Sequence, residues 1–134
     1  MASQLINPST VHPPRPTYSH IQTIQISPTS TLVTIAGQIG MEPETKTVPS
    51  TFAGQVQVAL ANLGRCLAAV GATPANIIKT THFVVNLDPQ DTSRAEAYLK
   101  FIGDHRPPST LLGVAALADP NLLYEVEAMA IVHH

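Results

Sequence analysis

The feature that most constrains the fold is the segment from Ile77 to Leu87, which is rich in apolar and β-branched residues. A strand of this kind is stable only when both of its faces are covered. Leu32 to Ile39 and Leu122 to Val132 have the same character. The three segments therefore predict the central strands of one β-sheet, in which little surface is left for solvent.

Two helices are predicted between these strands. Over 51–70 the apolar residues recur every three or four positions, which is the pattern of a helix with one buried face, and Gly71 supplies its end. A second helix is predicted over 88–102, with Asp88–Pro89 as its cap and first turn.

Strands at His20–Ile26 and Ser109–Ala118 complete the order ββαβαββ. The predicted fold class is α+β, with a single mixed β-sheet and two helices on one face. The strand pairs at the two ends can form antiparallel hairpins. The chain of 134 residues has the length of one domain, 1–134. Its first part, 1–17, is expected to be an irregular arm because its prolines prevent a helix.

The face of the sheet without helices is expected to be buried between subunits. Hydrophobic residues make up 44% of the chain and charged residues only 12%, so apolar surface is left for a partner to cover. A homo-oligomer is the simplest arrangement that covers it.

Composition limits the remaining partners. The seven basic residues are scattered and the net charge is -2, whereas nucleic-acid binding needs a basic cluster. No apolar run reaches the length of about 18 residues that spans a bilayer, so no membrane association is expected. No signal peptide is recognisable, which favours a cytoplasmic location and leaves mitochondria open. The chain has a single cysteine, Cys66, and its acidic residues and histidines do not have the spacing of metal ligands. No metal site is therefore predicted.

Two carboxylates are candidates for chemistry. Glu125 and Glu127 lie two apart in the last strand, so both point to one face, about 6.5 to 7 Å apart. Among apolar residues such a group is either a general acid or base in a cleft, or a carboxylate that caps amides or pairs with a cation at a subunit contact. Both interpretations remain open from these residues.

Two polar residues in the apolar segment are further candidates. His82 lies in its middle, where it is either a base or, more commonly, a hydrogen-bonded core residue. Asn86 lies at the end of the same strand, where it could meet a ligand.

Five short motifs occur along the chain in a definite order: Ala36–Gly40, Ala59–Leu63, Ile78–Thr81, Arg106–Thr110 and Glu125–Ala128. Together with the ββαβαββ pattern they resemble the Rid family of reactive intermediate deaminases, also called YjgF-like. The resemblance covers the chain from about Tyr18 to Val132.

The resemblance implies a homotrimer of chorismate-mutase-like architecture, with a cofactor-free cleft between subunits that takes a small-molecule substrate. In active members an arginine binds the carboxylate of a 2-imino or 2-enamino acid and a glutamate positions water, which yields a 2-oxo acid and ammonia. Glu125 matches that glutamate and Tyr18 the tyrosine before the first strand, which makes them the implied catalytic residues. Gly37 matches the glycine that lines the cleft.

The chain departs from the family pattern at the arginine. The pattern is Pro-Ala-Arg-Ser/Thr, and an ungapped match places Ser109 at the arginine and Leu111 at a cysteine that often follows. Arg106, just upstream, is a candidate replacement, and Thr110 is a further candidate for substrate contact. The uncharged residues here suit a neutral ligand better than an anionic one: Ser109, Thr110, Leu111 and Leu112.

Three functions follow as alternatives. The first is enamine or imine hydrolysis of the family type, or a close variant. The second is a repurposed enzyme for tautomerisation, cyclisation or C–C bond chemistry on a neutral carbonyl substrate. The third is a non-catalytic, ligand-binding or chaperone-like trimer.

Overall fold

Six strands form one sheet in the computed structural model, which describes residues 2–134. The strands are β1 (Ser3–Ile6), β2 (Ile21–Ser27), β3 (Ser30–Ile39), β4 (Ile77–Val85), β5 (Ser109–Val114) and β6 (Tyr124–His133). The helices are α1 (Phe52–Ala69) and α2 (Ser93–Ile102), with a short 3₁₀ turn at Pro74–Asn76. The strands lie in the order β1-β2-β3-β6-β4-β5. The predicted α+β class, with a single mixed sheet, is confirmed.

Two topological details differ from the predictions. The arm 1–17 is not irregular throughout, because β1 pairs antiparallel with β2 and adds an edge strand. The last two strands do not form a hairpin. Instead β6 lies between β3 and β4 and is antiparallel to both, whereas β5 is an edge strand parallel to β4. The crossover through α2 makes β4 and β5 parallel neighbours, and apolar β6 takes the covered central position.

The helix boundaries agree with the sequence at α1 and differ at α2. Thr51 caps α1, since its side chain accepts a hydrogen bond from the amide of Gly54. The second helix begins at Ser93 rather than at Asp88. The carboxylate of Asp91 accepts hydrogen bonds from the Ser93 amide and hydroxyl, and that of Asp88 accepts one from the Gln90 amide. These side-chain bonds hold 88–92 as turns and delay the helix.

The two faces of the sheet have different environments. On β6 the residues alternate between fully buried ones beneath α1, such as Val126 and Ala130, and more exposed ones on the other face. This second face, which carries Glu125, Glu127, Met129 and Leu112, is called the open face below. Met129 is 37% exposed and Leu112 45% exposed in the single chain. Within residues 2–134, neither helix is long and apolar enough to cross a bilayer.

A buried glutamine connects α1 to the loop that precedes β6. The side-chain amide of Gln55 donates to the carbonyls of Pro49 and Asn121, both at 2.9 Å, and its oxygen accepts from the Leu123 amide at 2.8 Å. All polar atoms of this fully buried side chain are therefore paired. The contacts fix the entry of the chain into β6.

We expect Gln55→Ala to lower the free energy of unfolding by about 2 to 4 kcal/mol, because it leaves buried backbone groups without partners. Gln57→Ala is the matched control, since Gln57 lies in the same helix but is exposed, and surface changes of this kind cost less than about 0.5 kcal/mol. Urea unfolding of both variants measures the difference. Equal losses would contradict the role given to Gln55.

Candidate functional site

The candidate site is built around a bulge in β3. This strand has two residues, Ala36 and Gly37, where β6 has only Glu127. Such a bulge bends the strand and re-aims the groups beside it. The carboxylate of Glu125 lies directly over Gly37, so that a Cβ on Gly37 would be only 1.8 Å from Glu125 Oε1. Only a glycine leaves room for the carboxylate in this position.

The carboxyl of Glu125 has an unusual environment. It is half-buried on the open face, beside Ile39 of β3 and Phe83 of β4. Burial, and secondly the negative charge of Glu127, raise the pKa of the Glu125 carboxyl above its ordinary value. A carboxyl with a raised pKa exchanges protons more readily near neutral pH than an ordinary one, which suits a general acid or base.

A cavity of about 180 Å³ opens beside this carboxylate. The structure brings three of the predicted site residues together in its wall, Glu125, Tyr18 and Gly37. Arg15 and Asp119 also line it. Residues 2–134 contain no group of three His, Cys, Asp or Glu side chains arranged to hold a metal ion.

Buried hydrogen bonds fix the arm and the bulge to each other. The Nε2 atom of His20 lies 2.7 Å from the carbonyl of His12, so it carries the proton, and Nδ1 accepts from Gln38 at 3.1 Å. The same Gln38 amide donates to the carbonyl of Ala36 in the bulge. Tyr18 packs edge-on against His20, with ring centroids 5.8 Å apart. This network positions Tyr18 at the cavity.

Sequence reasoning missed Arg15. Its guanidinium donates to Asp119 at 2.6 Å and lies at the cavity with Glu125. The available signal was the sequence Pro14-Arg15-Pro16, in which two prolines restrict the backbone of a charged residue just before Tyr18. The prolines of this segment predict only an arm that cannot be helical.

The other predicted contacts lie outside this cavity within one chain. Arg106 donates to the carbonyls of Gly103 and His105 in its own loop. The Ser109 hydroxyl accepts from Thr80, and that of Thr110 accepts from Lys79. Leu111, on the edge strand β5, is 41% exposed.

Two residues of the β4 segment have other roles. His82, a candidate for substrate contact, has instead the second of its two predicted roles, that of a hydrogen-bonded core residue: its side chain is fully buried and its Nδ1 lies 2.6 Å from the Tyr124 hydroxyl. Burial, and secondly the charge of Arg94, lower the pKa of His82 to about 4, so it is a neutral core residue. Asn86 lines a separate cavity of about 190 Å³ with Arg94.

The fold and the site together define a small α+β domain whose open sheet face carries a partly buried carboxylate over a glycine bulge. The Endoribonuclease L-PSP family model matches residues 10–132. The chain therefore belongs to this family, the Rid or YjgF-like family that the motifs indicated.

Curated relatives carry more specific names. The 2-iminobutanoate/2-iminopropanoate deaminase of Rattus norvegicus is 34% identical over 98 residues, which is 72% of this chain and 70% of the relative. The protein of the same name from Escherichia coli K12 is 32% identical over 103 residues, 75% of this chain and 79% of the relative.

Solved structures have the same fold. A Mycobacterium tuberculosis member of the YjgF/YER057c/UK114 family matches with a TM-score of 0.71 and 25% identity, over 98% of this chain and 100% of that one. Escherichia coli TdcF with bound serine matches with a TM-score of 0.80 and 24% identity, over 96% and 98% of the two chains, which shows the fold alone.

We expect Gly37→Ala to destabilise the chain by about 1 to 3 kcal/mol, because the new methyl group collides with the Glu125 carboxylate. The matched control is Gly64→Ala within α1, where a Cβ meets only Phe101 at 3.6 Å. That change should stabilise the chain by about 0.5 to 1 kcal/mol.

A double variant tests the cause of this loss. Gly37→Ala combined with Glu125→Ala removes the colliding group, and urea unfolding should then show recovery of most of the stability lost in the single variant. If the two changes are simply additive, the collision is not the source of the loss.

Proposed function

We propose that the chain is an enamine/imine hydrolase that converts small 2-imino acids to 2-oxo acids and ammonia. The observation that carries the proposal is the partly buried Glu125 carboxylate, placed over Gly37 and beside Tyr18 in one cavity. The names of the curated relatives, deaminases of 2-iminobutanoate and 2-iminopropanoate, support this substrate class.

The proposed reaction needs one acid-base group and one water molecule. Glu125 accepts a proton from the water as the water oxygen bonds to the imine carbon. Glu125 then returns this proton to the nitrogen. As the C–N bond breaks and ammonia leaves, the carboxylate of Glu125 takes up the hydroxyl proton, so that a 2-oxo acid remains. A carboxylate held beside the reacting carbon lowers the barrier by positioning the water as well as by proton transfer.

The charge distribution favours this function over an action on RNA, which the name of the matched family model suggests. The net charge is -2 and the seven basic residues are scattered. At the proposed site, Arg15 is paired with Asp119 and the carboxylate of Glu125 adds negative charge. Such a site repels a phosphate backbone.

One observation favours the second candidate function, proton-transfer chemistry on a neutral carbonyl compound. Arg106 is bound to carbonyls of its own loop, and Ser109 stands at the position that the resemblance assigns to the substrate-binding arginine. Glu125 would serve as the base in this chemistry too. The two candidates are separated by whether a 2-imino acid is hydrolysed.

We further propose that the protein is a homotrimer in which the open face is covered by neighbouring subunits. Met129 and Leu112 are large apolar residues of this face that are more than one-third exposed in the single chain. Exposed apolar groups on a sheet face without a helix layer are typical of a subunit interface. Glu125 lies on the same face, so its cavity would be completed by the neighbour.

The first test is release of 2-oxobutanoate and ammonia from freshly generated 2-iminobutanoate, compared with the spontaneous rate. We expect acceleration by the wild-type chain and a loss of about 100- to 10,000-fold in kcat/KM for Glu125→Gln. No acceleration by the wild-type chain would exclude the deaminase function and favour a neutral substrate.

The pH profile provides the matched control. A base must be ionised, so the rate should fall as the pH drops through the raised pKa of Glu125. Glu127→Gln removes a negative neighbour and lowers that pKa, so the acid limb should move to lower pH while the rate at high pH is retained. An unchanged acid limb would contradict the role of Glu125 as the titrating base.

The oligomer is tested by light scattering after gel filtration. We expect three times the chain mass for the wild type and a smaller species for Met129→Glu, which puts a charge into the proposed interface. Leu99→Glu is the control, because Leu99 is 48% exposed but lies on α2. A monomeric wild-type chain, or equal effects of both variants, would contradict the proposed interface.

A further inference from the structure

The cavity beside Glu125 is lined by a positively charged side chain, that of Arg15. Neither the family pattern nor the names of the relatives give this residue a role. Among the residues within 2–134 that line it, only Arg15 carries a positive charge at neutral pH. A small cavity with a carboxylate and a guanidinium in its wall has groups for both ends of a molecule that combines a carboxylate with an iminium nitrogen. A guanidinium matches a carboxylate through two parallel hydrogen bonds.

The backbone presents Arg15 to the cavity in a restricted conformation. Arg15 lies between Pro14 and Pro16, and a residue that precedes a proline is confined to extended conformations. The Tyr18 amide donates to the Arg15 carbonyl at 3.4 Å, which closes a turn. This turn brings Arg15 and Tyr18 to the same cavity, and the backbone there has little conformational entropy left to lose when a ligand binds.

The present partner of Arg15 is exchangeable. The ion pair with Asp119 consists of one contact of 2.6 Å between side chains that are 57% and 41% exposed. Ion pairs with this exposure contribute only about 0 to 1 kcal/mol. The carboxylate of a ligand, bound through both arms of the guanidinium within the cavity, can therefore displace Asp119 at low cost.

The other candidates for binding the carboxylate do not offer a free positive charge within one chain. Arg106 donates to two carbonyls of its own loop, and Ser109 carries no charge at the position of the family arginine. We propose that Arg15 is the substrate-binding residue that holds the carboxylate of a small 2-imino acid and directs its imine carbon towards Glu125. This inference rests on the proposed function and specifies its substrate-binding group.

The experiment is a calorimetric titration with 2-oxobutanoate, the product, which carries the same carboxylate as the substrate. We expect Arg15→Gln to weaken binding by about tenfold to a hundredfold. Arg15→Lys should restore part of the affinity, because the charge is kept and the two-pronged geometry is lost. Asp119→Asn should strengthen binding by a few-fold, because the competing carboxylate is removed.

Arg65→Gln is the matched control for a loss of positive charge, since Arg65 lies on α1 and does not line this cavity. It should bind 2-oxobutanoate like the wild type. Arg106→Gln tests the competing assignment. A loss of affinity in Arg106→Gln with none in Arg15→Gln would overturn the inference, and so would a wild-type chain that binds no 2-oxobutanoate at millimolar concentration.

Kinetics separate this inference from the proposed function. If the wild type hydrolyses 2-iminobutanoate and Arg15→Gln raises KM by about tenfold or more with a smaller change in kcat, both stand. Hydrolysis that depends on Glu125 but not on Arg15 overturns only the assignment of Arg15. Binding of 2-oxobutanoate that depends on Arg15, without any hydrolysis, overturns only the proposed function.

Discussion

The close approach of the Glu125 carboxylate to the backbone of Gly37 is the constraint on which the site depends. Because a Cβ at this position would be 1.8 Å from the carboxylate oxygen, the carboxylate can occupy its place only over a glycine. The bulge in β3 places this glycine beneath Glu125 of β6. The irregularity of the strand therefore determines where the Glu125 side chain lies. Burial in this place also raises the pKa of the Glu125 carboxyl.

The hydrogen bonds around His20 explain why an arm without helix or strand between β1 and β2 can hold functional groups in place. Gln38 connects His20 to the carbonyl of Ala36 in the bulge, and His20 in turn binds the carbonyl of His12. The side chains of His12, His20 and Gln38 are all buried. A buried polar network whose bonds break together resists local opening, so the arm is tied to the same bulge that carries Gly37.

The predictions from sequence succeeded where local periodicity decides the structure and failed where distant pairing does. The apolar spacing of α1 and the β-branched segments predicted the elements and the fold class, and the resemblance to the Rid family indicated that Gly37 lines the cleft. Nothing local shows that β6 inserts between β3 and β4, or that Arg15 meets Asp119 far along the chain. The sequence left open whether His82 is a base or a core residue, because burial by a helix layer cannot be read from one strand.

The charges of the cavity then constrain which molecules it suits. Arg15 and Asp119 cancel while they are paired, so the ionised Glu125 carboxylate leaves the cavity with a net negative charge. A simple carboxylate can bind to the guanidinium, but the negative charge of Glu125 weakens its binding, and a simple cation leaves the guanidinium unused. The proposed substrate, a protonated 2-imino acid, would satisfy both groups, because its iminium nitrogen would be attracted to Glu125 while its carboxylate would take the place of Asp119. In the proposed reaction, release of ammonia would remove the attraction to Glu125 and leave only the carboxylate contact, so the arrangement that favours the substrate would bind the product more weakly.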